Sequence, residues 1–362
     1  MIDAGAMPSG EFGEDTMRKN VAVRLLALAA LAAAGAVNLA PTAAAQSAGE
    51  FYAGKHISLL VGASAGGGYD HLGRLTAKHL TKHIPGRPTV VVQNMPAAGS
   101  LVATNHIANN APRDGTMIAL VQRGMLLAKL TNPLGVRFEV NQLNWLASLA
   151  SETGVTLAWH TAPHQTTKDL FDKELIVGGI VNVDPETTPK LLNALIGTRF
   201  KIILGYPGTR EIILAMERGE VQGIGDMSLS SIKRSRADWL RDKTVRVLMQ
   251  TALEKDRELP DVPFALDFVK NEADRKVMQL YLTQKRIARP IVAPPGLPAD
   301  RLAALRGAFA ALVHDKEFLA EAAKMDVDPI PGPEVDKVIA LIAAAPADVT
   351  ARYAKVMAPT PK

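Results

Sequence analysis

The sequence contains no cysteine. This absence excludes disulfide bonds, thiolate nucleophiles and zinc sites built on cysteine. It is compatible with export, because a protein of this size can fold without disulfides. Aromatic residues make up only 5% of the 362 residues, charged residues make up 21%, and the net charge is +5. The basic residues are spread along the chain, so the basic stripe of a nucleic-acid-binding protein is lacking. A mildly positive field favours small anionic partners instead.

The N-terminus is organised as a targeting segment. A short basic stretch, Met17–Arg24, precedes an alanine-rich apolar stretch, Leu25–Ala40, and small residues at Ala43–Gln46 offer a cleavage site. This order is typical of a secretory signal peptide, and the apolar stretch is short for the alternative, a retained membrane anchor. We expect residues 1–45 to be an extension plus signal peptide cleaved after Ala45, with Met17 as an alternative start and a periplasmic mature protein.

Hydrophobic runs and turn signals alternate along the rest of the chain. The runs His56–Gly62, Pro88–Asn94 and Thr116–Gln122 predict strands, and a helix is predicted after each of the first two. This alternation predicts a parallel sheet with right-handed crossovers. No segment after the signal reaches the length of a transmembrane helix.

The second half repeats this organisation, with one helix expected to begin at Pro189 behind an N-cap at Thr188. We divide the mature chain into a first lobe at 46–152, a second lobe at 153–271, and a return to the first lobe with C-terminal helices at 272–362. The predicted fold class is α/β with two lobes, each a sheet flanked by helices. Ligands of such proteins bind in the cleft between lobes, outside the carboxyl ends of the strands.

Two loops rich in small residues follow neighbouring strands. The first, Ser64–Asp70, has three consecutive glycines but lacks the glycine spacing and the Lys-Ser/Thr pair of nucleotide-binding loops. The second, Pro96–Ser100, occupies the same strand-to-helix position in the next unit. Both helix N-termini would direct N–H groups to one edge of the sheet, which suits an anion such as a carboxylate. A tight turn that binds nothing is the alternative for the first loop.

These loops and several later segments together resemble one family, the Bug-type receptors, which are the extracytoplasmic binding components of tripartite tricarboxylate transporters. The resemblance implies a two-lobe, type II periplasmic-binding-protein fold with no enzymatic activity, cofactor or metal. It also implies a small organic di- or tricarboxylate or an aromatic acid as ligand, and membrane permease subunits as partners. We expect a monomer. The segments that carry the resemblance are SLLVGASAGGGYDHLGRLTAKHL, PTVVVQNMPAAGSLVATNHIANNAPRDGT, GYPGTREIILAMERGEVQG, LPDVP and APPGLPADRLAALRGAFAAL.

The resemblance also implies twelve ligand-binding residues, drawn from both lobes. They are Ser64, Ala65, Gly67, Tyr69, Asp70, Ala98, Gly99, Ser100, Thr188, Tyr206, Thr209 and Asp226. The chain departs from the family in two places. Residues 97–100 read AAGS where GAGG is common, and Asp184 and Glu186 make the second-lobe helix start more acidic. These acids could repel a second carboxylate or receive an amine.

Several residues admit other roles. Asp70 could be a general base, cap its helix or order water, and Tyr206 could cover a ligand ring or fill the lobe interface. Arg123 could pair with a carboxylate or lie on the surface. His79 and His83 could form half of a metal site, but no zincin pattern accompanies them and we expect them to face solvent.

Two other functions are considered beside transport. No hydrolase motif of the G-x-S-x-G or Ser-x-x-Lys type is present, which argues against an exported hydrolase or isomerase. A receptor that presents its closed form to a membrane sensor is the second alternative, since closure is common to transport and signalling.

Overall fold

The computed structural model describes Met1 and residues 46–325 and 327–358. The predicted signal peptide and its cleavage site lie outside the described residues. The chain divides into two units, Met1–Gln46 and Ser47–Lys362, and the description below concerns the second. Within the described residues, no helix has both the length and the apolar character needed to cross a membrane.

The strands are short, and most have buried apolar side chains. In chain order they are β1 (His56–Val61), β2 (Thr89–Asn94), β3 (Met117–Leu120), β4 (Asn144–Ser148), β5 (Gly154–Trp159), β6 (Leu175–Gly179), β7 (Phe200–Leu204), β8 (Gly223–Ser228), β9 (Val245–Thr251), β10 (Pro290–Ala293) and β11 (Ile330–Pro331).

These strands form two mixed sheets. The first has the order β11-β4-β10-β3-β1-β2, in which β1 runs parallel to β2 and β3, and β10 runs antiparallel to β3 and β4. The second has the order β7-β6-β8-β5-β9, in which β6 runs parallel to β7 and β8, and β5 runs antiparallel to β8 and β9. Each of the parallel strands β1, β2, β6 and β7 is followed by a helix, as the alternation in the sequence predicts.

Helices cover the sheets and follow the parallel strands. In chain order they are α1 (Ala48–Tyr52), α2 (Gly68–Leu80), α3 (Leu101–Asn109), α4 (Ala128–Thr131), α5 (Asp169–Asp172), α6 (Asp184–Ile196), α7 (Thr209–Glu217), α8 (Leu229–Ser235), α9 (Ala237–Arg241), α10 (Glu272–Thr283), α11 (Ala299–Leu312), α12 (Lys316–Ala323), α13 (Gly332–Ala343) and α14 (Ala347–Met357).

Helix α6 begins earlier than the sequence predicts. Its N-cap is Val183, so Thr188 lies inside the helix and the expected Thr188 cap is wrong. Pro185 in the first turn fits the missing N–H of proline as well as Pro189 would. The Glu186 carboxylate accepts a hydrogen bond from the backbone N–H of Asn182 at 2.6 Å, which fixes the earlier start.

Two helices that lie beyond the predicted second-lobe segment pack in the second-lobe core. Side chains of α10 and α14, among them Tyr281 and Tyr353, belong to the same apolar core as Leu175 of β6. The chain returns to the first sheet only at β10. We therefore propose to move the last boundary from 272 to 284.

The chain crosses between the two sheets twice, in segments that lie side by side, and α14 later returns to the second-lobe core. The backbone N–H of Glu152 donates to the carbonyl of Lys285 at 3.0 Å, and the N–H of Ala288 donates to the carbonyl of Ala150 at 2.9 Å. A paired two-strand connection of this kind can act as a hinge between two rigid bodies.

The two histidines of α2 have structural contacts. His79 is buried, with Nε2 3.2 Å from a Glu321 oxygen, so the expectation that it faces solvent is wrong. Nε2 of His83 lies 2.6 Å from Asp315. Nζ of Lys82 lies 2.7 Å from Asp315 and supplies a positive charge beside these carboxylates. The cluster therefore fixes α12 against α2.

Candidate ligand-binding site

A cleft of about 770 Å³ lies between the lobes. It is lined by the loops that follow β1, β2 and β3 in the first lobe and β6, β7 and β8 in the second, which places it outside the carboxyl ends of the parallel strands. Nine of the predicted site residues line this cleft. They are Ser64, Ala65, Gly67, Tyr69, Ala98, Gly99, Tyr206, Thr209 and Asp226.

The helix starts of the first lobe have free donor capacity. Neither α2, with Gly67 as N-cap, nor α3, with Ser100 as N-cap, has a side chain that accepts from its first-turn N–H groups. An α-helix leaves its first N–H groups without partners inside the helix, and these groups with the helix dipole attract anions. The start of α2 meets the cleft, as does the turn at Ala98 and Gly99 that precedes α3. The first-lobe wall of the cleft therefore suits a negatively charged group.

Asp70 does not line the cleft but holds the glycine loop from behind. Its buried carboxylate accepts from the N–H of Gly66 at 2.9 Å, from Asn94 at 3.0 Å and from Nε of Arg74 at 3.1 Å. Burial raises the pKa of Asp70, but these hydrogen bonds and the Arg74 charge outweigh it and leave the pKa below its usual value. An ionised Asp70 therefore fixes the loop, as a positioning residue.

Ser100 also lies outside the lining and ties two loops together. Its Oγ donates to the carbonyl of Gly62 at 2.6 Å and accepts from the N–H of Gln122 at 2.9 Å. Ser100 ends a left-handed turn in which φ is 46° at Ala98, 62° at Gly99 and 75° at Ser100. Left-handed backbone costs roughly 1–2 kcal/mol at a residue with a Cβ, so the two side-chain hydrogen bonds help to hold a strained turn.

Thr188, the third residue outside the lining, supports a buried ion pair that joins the lobes. Its Oγ1 lies 2.6 Å from the hydroxyl of Tyr281, which donates to Oδ1 of Asp184 at 3.0 Å. The other oxygen of Asp184 pairs with the guanidinium of Arg123. Burial opposes the ionisation of Asp184, but Arg123 and the other nearby basic groups outweigh it and lower the pKa. Arg123 thus has a carboxylate partner, within the protein.

Two further ion pairs lie at the second chain crossing, and the sequence-based analysis missed both. Nζ of Lys285 lies 2.7 Å from Asp226, and Nη2 of Arg289 lies 2.9 Å from Glu152. The Arg289 guanidinium also stands 4.2 Å from the ring centre of Tyr69. The two bases are four residues apart, a spacing that could have indicated one shared face.

The lobes approach closely at the rim of the cleft. A Cβ built on Gly99 would lie 3.0 Å from the carbonyl oxygens of both Val181 and Asn182. Oγ of Ser64 donates to the carbonyl of Pro207 at 3.4 Å. Tyr206 is partly buried and packs against the apolar core of the second lobe. A glycine at position 99 therefore allows the two lobes to touch.

A second cavity, of about 930 Å³, lies among α4, α6 and the C-terminal helix α14. Of the buried polar atoms without a partner in the described residues, Oε1 of Gln284 belongs to its lining. The interlobe cleft collects several, on Arg123, Arg234, Arg289 and Asp226. The interlobe cleft is therefore the stronger candidate site for a charged ligand.

Residues 72–347 match the TctC family, the tripartite tricarboxylate transporter family receptor. The chain belongs to this family. The resemblance predicted from its sequence is confirmed, and the family is one of binding proteins rather than enzymes. No curated protein matches the chain.

Solved structures support the fold of this TctC-family receptor. The periplasmic binding protein BugD is 19% identical with a TM-score of 0.63, covering 83% of this chain and 97% of that one. MatC from Rhodopseudomonas palustris, with bound malate, is 19% identical with a TM-score of 0.63, covering 84% and 99%. An R. palustris protein with adipate is 18% identical with a TM-score of 0.64, covering 84% and 97%. The predicted two-lobe, type II periplasmic-binding-protein fold is confirmed.

Proposed function

We propose that this TctC-family receptor captures a small organic carboxylate in the interlobe cleft and delivers it to a tripartite tricarboxylate transporter. The observation that carries the proposal is the meeting of the uncapped start of α2, at Gly68, and the left-handed turn at Ala98 and Gly99 in one cleft. Relatives with the same fold are described with malate and with adipate. The signal-peptide pattern and the relatives described as periplasmic support a periplasmic location for the mature protein.

Capture would proceed by hinge closure about the two crossing segments. The first lobe would hold one carboxylate through the loops after β1 and β2, and the second lobe would add contacts and exclude water. A hydrogen bond to a charged group contributes roughly 1.5–3 kcal/mol. Three or four such bonds, less the cost of ordering the ligand and closing the lobes, are consistent with micromolar binding, about 8 kcal/mol.

The test is a thermal-shift screen against di- and tricarboxylates, aromatic acids and acidic amino acids. A ligand at 100 times its Kd should stabilise the protein by about 2.7 kcal/mol. Asp70→Ala should lose this shift while keeping the circular dichroism of the wild type, because Gly66 loses its acceptor. Asp172→Ala, at an exposed carboxylate, is the matched control and should behave as wild type. If no acid stabilises the wild type, the proposed function is wrong.

A further inference from the structure

Two arginines from outside the first-lobe loops converge on the start of α2. A Cβ built on Gly68 would lie 2.9 Å from Nη2 of Arg234, 3.2 Å from Oγ of Ser231 and 3.6 Å from Nη2 of Arg289. Arg234 comes from α8 of the second lobe, and Arg289 comes from the second chain crossing. Two guanidinium groups therefore stand at the positive end of a 13-residue helix.

The charges between the lobes do not balance. Arg123, Lys285 and Arg289 each have a carboxylate partner, in Asp184, Asp226 and Glu152 respectively. Of the other charged residues in the lining, Arg210 is exposed and Arg236 pairs with Glu217. Arg234 forms no ion pair within the described residues, and its Nη1 is buried and has no hydrogen-bond partner there. Arg234 therefore brings an unpaired positive charge to the lining of the cleft.

The surroundings of Arg234 disfavour its charge. Burial lowers the pKa of Arg234, the neighbouring Arg289 lowers it further, and Glu152 raises it. Glu152 is already engaged by Arg289 and by the hydroxyl of Ser230, which donates to it at 2.8 Å. Arg234 is partly buried and its Nη1 is fully buried, and a charge in such surroundings is costly unless it is paired. An anionic ligand would therefore reduce this cost.

We propose that Arg234 and Arg289 form a guanidinium anchor for one carboxylate of the ligand at the start of α2. Arg234 is the residue that requires this ligand group to be negatively charged. This inference rests on the proposed function. Nη1 of Arg234 and Nε of Arg289 are buried donors that have no partner among the described residues. A planar carboxylate matches the fork of a guanidinium. At the start of α2, Arg289 is paired with Glu152 and Arg234 is not paired, so the anchor has one net positive charge, which favours a group of charge −1 over a dianion.

The test uses the full protein, the variant Arg234→Gln and the matched control Lys233→Gln. Lys233 is the neighbouring residue on α8 and pairs with Glu258, so the control removes the same charge from the same helix outside the cleft lining. The probes are acetate, benzoate, malate and adipate, with sulfate as the dianionic probe. Each is titrated at constant ionic strength by thermal shift, and by calorimetry where the shift is measurable.

We expect at least one of the four carboxylates to bind the wild type and Lys233→Gln with equal Kd. For Arg234→Gln the Kd should rise roughly tenfold to a hundredfold, because the ligand loses a hydrogen bond from a charged donor. The ligand-free Arg234→Gln protein should melt at or above the wild-type temperature, because it lacks the uncompensated charge. If Arg234 only stabilised the fold, the ligand-free Arg234→Gln protein would melt below the wild-type temperature.

Three results would overturn the inference. The first is that none of the four carboxylates stabilises the wild type, or that sulfate does so better than all of them. The second is that a carboxylate binds wild type and Arg234→Gln with equal Kd. This result would refute the anchor but would leave the proposed receptor function standing. The third is that ligand-free Arg234→Gln melts below Lys233→Gln.

Discussion

The buried ion pair between Arg123 and Asp184 gives the sharpest prediction about how the lobes are held together. Arg123 follows β3 in the first lobe, and Asp184 begins α6 in the second, so their contact crosses the cleft. Both residues are largely buried, with 2% of Arg123 and 9% of Asp184 exposed. The single variants Asp184→Asn and Arg123→Gln each leave one charge buried without its partner.

The expected cost follows from these contacts. Asp184→Asn can keep the hydrogen bond from Tyr281, so most of the loss comes from the guanidinium of Arg123. Nε and Nη1 of that guanidinium already lack hydrogen-bond partners among the described residues. Removing one member of a buried pair costs roughly 3–5 kcal/mol, and we expect each single variant to fall in this range. In the double variant neither charge remains, so its cost should be below the sum by roughly 2–3 kcal/mol.

Urea denaturation followed by circular dichroism measures these free energies of unfolding by linear extrapolation. The matched control is Glu139→Gln, which breaks the exposed pair with Lys129 and should cost under about 1 kcal/mol. Single-variant costs that add within about 0.5 kcal/mol in the double variant would refute the reasoning, since independent sites behave in that way.

Two glycine substitutions test the close approaches around the cleft. Gly99→Ala places a Cβ 3.0 Å from two second-lobe carbonyls at a φ of 62°, so calorimetry should show weaker carboxylate binding. An unchanged Kd would contradict the proposed closure of the lobes. Gly154→Ala places a Cβ 2.2 Å from Nζ of Lys285 and 2.3 Å from Asp226, so urea denaturation should show a loss of roughly 1–3 kcal/mol or more. Gly307→Ala, in open space on α11, is the control and should be neutral or stabilising.

The parts that the sequence predicts well are those encoded over short stretches. The strand β1, the glycines after it and the helix α2 are contiguous, so their order and their edge of the sheet follow from local pattern. The same holds for β2, the small-residue loop after it and α3. The boundary that we propose at 284 could not be derived in this way, because α10 and α14 join the second-lobe core only through tertiary packing, which a pattern of apolar residues does not reveal.

The ion pairs of Glu152, Asp184 and Asp226 between the lobes cannot be predicted from local sequence pattern. These charged residues come from separate stretches of the chain, and no local pattern indicates which of them will pair. Even Asp184 and Glu186, which the sequence marks as unusual, have partners that only the fold supplies. Arg123 engages Asp184, and the N–H of Asn182 engages Glu186. Asp184 is therefore not free to repel a ligand carboxylate or to receive an amine, and Glu186 lines the second cavity rather than the interlobe cleft.

Ion pairing within the protein explains how a cleft with buried carboxylates around it can still select an anion. Each of Glu152, Asp184 and Asp226 stands beside a base from another part of the chain, so its charge is compensated within the protein. At the start of α2, a ligand would meet the uncompensated Arg234 guanidinium and the first-turn N–H groups of the helix. A low local dielectric strengthens the attraction between these groups and an anion, and it also raises the cost of leaving the guanidinium without a partner. Selectivity for charge would then come from one uncompensated group, and selectivity for shape from the neutral side chains and backbone around it.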